Sequence, residues 1–120
     1  MNQVVNIDQK LTEFSEFWTP KIVGDLNEQQ VKLAKLKGEF VWHSHKDEDE
    51  MFLVIKGELK IEFESETKHL SAGEFLIIPK GQRHRPVADE EVHVLLFEPK
   101  STLNTGDQQN HFTKNNLDKI

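Results

Sequence analysis

The sequence predicts an all-β protein, an antiparallel sandwich or barrel. Three observations carry that expectation. From Glu39 onward, short runs rich in Val, Ile, Leu and Phe recur at regular spacing between turn signals. Leu59, Ile61 and Phe63 alternate with Lys60 and Glu62, as in a strand with one wet face. Helical spacing occurs in one short segment near the N-terminus.

Val4, Val5 and Ile7 read as a short strand or an extended arm. Ile7, Leu11, Phe14 and Trp18 then recur at helical spacing, with Asp8 as the N-cap and Pro20 as the stop. Residues 1–20 are therefore an arm and a helix whose apolar side packs on the barrel. Lys21 to Gly24 is extended, Leu26 to Glu28 is a turn, and Gln30 to Leu36 alternates with Val31 and Leu33 on one face. Residues 38–99 form the core. Its expected strands are Phe40–His45, Met51–Ile55, Leu59–Phe63, His69–Leu70, Phe75–Ile78, Arg85–Val87 and Val92–Phe97, with a turn over Ala88–Glu91. Residues 100–120 are a polar C-terminal tail, with a turn over Asn104–Asp107 and a frayed end over Gln108–Ile120 in which His111 is solvated.

The chain has 120 residues, which suits one domain, 1–120, with one core. A formal charge of -6 argues against nucleic acid or an anionic membrane as partner. There is no cysteine, hence no disulfide or thiolate chemistry, which is compatible with the cytoplasm. The opening residues have no basic start before an apolar run, so no secretion signal is expected, and no apolar run reaches membrane-spanning length.

The chemistry concentrates in His43, His45, Glu50 and His84. Alternate side chains of a strand share a face, so His43 and His45 point the same way. Glu50 opens the next strand and can turn back to the same point, while His84 arrives from a remote strand after Pro79 and Gly81. Imidazole and carboxylate together suit iron, manganese, nickel or zinc. Four such ligands fill a tetrahedral zinc or leave two positions open on an octahedral ion. Taken singly, a strand histidine is more often a core or rim residue, and His69 and His93 are left in that class. Three imidazoles and a carboxylate grouped in a barrel without a metal would leave a buried charge uncompensated.

These residues carry a resemblance to the cupin superfamily, and within it to the small single-domain cupins with an RmlC-like jelly roll. His43-Ser44-His45, Glu50 and Gly57 stand in the register of the first cupin motif, and Gly73, Pro79, Gly81 and His84 in that of the second. Two departures occur: Gly38 lies one residue closer to His43 than usual, and Ala88 replaces a common Asn. The resemblance spans Gly38 to Pro99. It implies an antiparallel double-stranded β-helix, His43, His45, Glu50 and His84 as ligands of one divalent metal, and a homodimer joined through the outer face of one sheet.

With His43 and His45 inward, Val41 is expected inward too, and Phe40, Trp42 and Ser44 outward, the two aromatics covered by the helix or a second subunit. Phe52 shares a face with Glu50 and is a candidate pocket wall, as are Val41 and His93. Asp47 and Asp49 are weak candidates to support a ligand histidine, and Arg83 and Arg85 are expected to pair with nearby acids. The expected partner is a small organic ligand. Two classes of function stay open: a metalloenzyme acting on it as a dioxygenase, isomerase or lyase, and a non-catalytic binding, sensing or storage module.

Overall fold

A computed structural model describes residues 2–120; Met1, the first residue of the expected arm, lies outside them. One short helix, α1 (Ile7–Leu11), precedes seven strands: β1 (Lys21–Leu26), β2 (Gln29–Glu39), β3 (Glu50–Lys56), β4 (Glu58–Phe63), β5 (Thr67–Ser71), β6 (Phe75–Ile78) and β7 (His84–Pro99). Every ladder is antiparallel. The order β1-β2-β7-β3-β6 makes one wall, and β4 pairs with β5 and with β7 to make the other. The fold class is thus the expected antiparallel β one.

β7 joins the two walls. Its second half pairs with β2 and β3, its first half with β4 and with the end of β2. Between them the register against β2 jumps from Leu36↔Val92 to Gly38↔Ala88. The turn expected over Ala88–Glu91 is therefore a bulge that bends a continuous strand from one sheet into the other. Gly57, at φ 91, lies so close to that bend that a side chain there would meet Val92 Cγ2 at 2.7 Å.

Both faces of β2 are covered. Ala34 and Leu36 point into the barrel with Phe52, Val54, Val92, Val94 and Leu96. Leu33 points outward beneath Leu11 and Phe14. The apolar side of the N-terminal segment thus packs on the barrel as expected.

The helix itself is shorter than its periodicity suggested. It is capped by Asn6, whose side chain accepts from Gln9 N–H, not by Asp8, and it ends at Leu11 rather than before Pro20. Tertiary pairing overrides the period: Phe17 bridges Lys35, and Trp18 donates from N–H to Lys35 O and from Nε1 to Lys37 O. Trp18 adopts φ 58 to do so.

Two further expectations are corrected. Phe40–His45 is no ladder strand; His43 bridges His84 through a reciprocal pair of backbone bonds of 3.0 and 2.9 Å, and the rest is extended coil. Residues 100–120 are ordered, including Gln108–Ile120, the part expected to fray. They form a strap across the barrel mouth, fastened at the far end where Ile22 N–H donates to Asp118 O and Ile120 N–H to Ile22 O. Thr105 is fully buried within it and bonds Gln108 O and Thr113. His111 is exposed, as expected.

Candidate metal centre

Three pieces of backbone deliver the four candidate ligands. The coil after β2 carries His43 and His45, the first residue of β3 is Glu50, and the first residue of β7 is His84. The His43–His84 bridge locks the first and last together. The strap fixes the coil from outside: Ser44 N–H donates to Asp107 Oδ1, and Asp107 N–H donates to Ser44 O. Asp107 is held below its ordinary carboxyl value, chiefly by that Ser44 N–H. Asp49 Oδ1 accepts from Lys80 N–H and pins the β6–β7 turn; no bond joins it to a histidine.

All four side chains are buried, and one donor atom from each lies within 4.8 Å of the others. Glu50 Oε1 stands 3.5 Å from His45 Nε2 and 3.3 Å from His84 Nε2. Two donors each about 2.1 Å from an ion, and 90–110° apart, would be about 3.0–3.4 Å from one another. His43 and His84 place Nδ1 at 2.9 Å from the carbonyls of Val41 and Gln82, which assigns the proton to Nδ1 and turns Nε2 inward as a lone pair. Both nitrogens of His45, Nε2 of His84 and Oε1 of Glu50 have no protein hydrogen-bond partner. Buried polar atoms are rarely left so, and this donor set fits a divalent ion.

The electrostatics agree. His43 is pushed down to about 4, first by burial and then by the nearby His84, which keeps its imidazole neutral. Burial also opposes a charge on His45, but Glu50 outweighs it and raises that group. Glu50 is fully buried, which alone would favour the neutral acid. The imidazoles of His45 and His84 beside its carboxylate reverse this and hold it well below the carboxylate range.

Beside this cluster lies a cavity of about 40 Å³ whose apolar wall includes Trp18, Leu36, Phe40, Phe52 and Leu96. Phe52 lines this cavity. Val41 packs into the main core instead, and His93 sits on the outer face, 2.6 Å from Glu91 Oε2. Phe40 is inward, stacked on Trp18 at 4.7 Å and edge-on to His43, because the coil breaks the strand alternation on which its outward assignment rested. Trp42 is half-buried beneath the guanidinium groups of Arg83 and Arg85, and Arg85 pairs with Glu62 and Glu39.

Sequence reasoning missed two residues of this cavity. Lys32 and Glu98, 2% and 3% exposed, are paired inside the barrel, Lys32 Nζ donating to Glu98 Oε1 at 2.9 Å. Burial, and then the charge of Glu50, push Glu98 well above the carboxylate range against the pull of Lys32. The signal was parity. Lys32 alternates in step with Ala34 and Leu36, and Glu98 in step with Val94 and Leu96.

Among the described residues no helix is long and apolar enough to cross a membrane. Residues 30–98 match the family model of the cupin domain. The chain is 40% identical over 86 residues to the Bacillus subtilis protein YdbB, covering 71% of this chain and 76% of that one. A cupin-2 domain containing protein from Shewanella frigidimarina superposes with a TM-score of 0.80 at 43% identity, covering 81% of this chain and 95% of the other. Protein NMB1881 from Neisseria meningitidis gives 0.75 at 27% identity, covering 82% and 100%. Fold, motif register and sequence identity converge, and the chain belongs to the cupins.

Proposed function

We propose that the chain is a metal-dependent cupin that binds one divalent ion through His43, His45, Glu50 and His84 and presents it to a small organic molecule in the adjoining cavity. The observation that carries this reading is the convergence of buried donor atoms that no protein group satisfies. Iron, manganese, nickel and zinc all suit the set. When bound, such an ion polarises a carbonyl, enolate or carboxylate oxygen. Isomerase and lyase chemistry would begin from that polarisation, and dioxygenase chemistry would need dioxygen as a co-reactant besides. The chain's own part is to keep His43 neutral, hold Glu50 ionised and screen the site from water with Trp18, Phe40 and the strap. A second reading, a non-catalytic binder or sensor, is favoured by the small volume of the cavity beneath the strap.

Purification without a metal-affinity tag, followed by elemental analysis, tests the metal. Wild type should carry roughly one ion per chain, and His84→Ala should lose most of it. Equal metal in the two proteins overturns the assignment. Oxygen uptake with catechols, flavonols and diketones, measured on the iron, manganese and nickel forms, tests for a dioxygenase, and tight ligand binding without any product favours the binder.

We also infer a homodimer through the outer face of the larger wall. Two cross-strand apolar rows support it: Val31, Phe97, Met51 and Ile77, and Leu33, Leu95, Leu53 and Phe75. The first turns of the chain cover the Leu33 end, but Phe75 and Ile77 remain 60% and 55% exposed.

A further inference from the structure

A buried lysine–glutamate pair is a costly way to fill a barrel, whichever form its carboxyl takes. Two apolar residues of similar volume pack there as stably or more so. Lys32 and Glu98 nevertheless occupy diagonal inward positions on β2 and β7, since Lys32 pairs with Leu96 and Gln30 with Glu98. Both side chains face the cavity that also exposes His43 and Glu50. Their mutual bond leaves capacity unspent. Lys32 Nζ makes one hydrogen bond among the described residues, to Glu98 Oε1, although an ammonium has three donors. Glu98 Oε2 is buried with no protein partner. Ala34, Leu36, Phe52 and Leu96 in the surrounding wall offer no substitute, and the amide of Asn104 is already bonded to Phe112 O and Lys114 N–H.

We propose that Lys32 and Glu98 form a recognition pair for a small 2-hydroxy acid or 2-hydroxy carbonyl compound. Lys32 Nζ donates to the carboxylate or carbonyl oxygen, and Glu98 Oε2 meets the hydroxyl on the neighbouring carbon. A hydroxyl both donates and accepts, so it satisfies that oxygen in either form of the carboxyl. The small cavity limits the ligand to a few heavy atoms. Where the four-ligand site holds its ion, the same ligand oxygens lie beside it, and to that extent this inference rests on the metal reading. A site built to bond a hydroxyl discriminates strongly against the analogue lacking one.

The test compares glycolate with acetate, which differs by the hydroxyl, in calorimetric titrations of wild type, K32M and the double variant K32M/E98M. Metal content and thermal midpoint are measured on each protein before any probe is added. Wild type should bind glycolate at least about tenfold more tightly than acetate. K32M should weaken both probes about tenfold and keep the preference, because the lost contact is to the shared carboxylate. The double variant should keep its metal and its midpoint and lose the preference. Equal wild-type affinity for the two probes overturns the proposal. So does K32M binding both as wild type does, or a folded double variant that still prefers glycolate. If the double variant does not fold, K32M decides. Metal-free wild type would overturn the four-ligand assignment instead, and the glycolate-to-acetate ratio on that sample would still judge the pair.

Discussion

Single residues at this site act through geometry more than through charge. Gly106 is the clearest case. Its φ is 56, and a Cβ there would overlap Ser44 O while lying 3.0 Å from His43 Cδ2. Gly106→Ala should therefore cost about 1–3 kcal/mol of stability, read as a lower denaturant midpoint, and should shed metal faster to a chelator because His43 is displaced. Unchanged midpoint and unchanged chelation would show that the strap yields without moving the ligand. At this scale the four ligands were readable because motif spacing reports them. Lys32 and Glu98 were not, because a charged residue inside a strand looks like a solvated one until its parity with the buried neighbours is known.

Elements were legible to the extent that their pattern was local. Leu59–Phe63 and Phe75–Ile78 fall where alternation and turns put them. The helix was overdrawn, since Phe14 and Trp18 are buried by contact with β2 rather than by a continuing helical face. The strap was invisible because its order comes from distant partners, Ser44 and Ile22, and from few apolar anchors. Phe112 is one such anchor, 5.0 Å from Phe40 and 6.2 Å from Trp18. Deleting residues 100–120 should leave the β-sheet circular dichroism largely intact. It should lower the thermal midpoint, expose Trp18 to a fluorescence quencher and speed metal removal by chelator. Quenching as slow as in the full chain would assign the shielding of Trp18 elsewhere.

The whole molecule has one broad apolar surface to explain. Its two rows run across four strands and end on the edge strand β6, where unpaired backbone and exposed Phe75 and Ile77 coincide. Light scattering at micromolar concentration should return twice the chain mass of 14.0 kDa. The double substitution Phe75→Glu, Ile77→Glu should return the single mass while leaving bound metal unchanged, since both side chains point away from Glu50 and His84. A monomeric wild type would refute the dimer.

The bent strand β7 ties these scales together. It begins with His84, ends beside Glu98 and, outside the bulge at residues 89–91, is hydrogen-bonded to β2, β3 and β4. Its amides should exchange with deuterium only when the entire protein unravels, whereas those of residues 100–120 should exchange by modest excursions. Loss of a bound ion to a chelator should then keep pace with the opening of residues 100–120 and not with global unfolding.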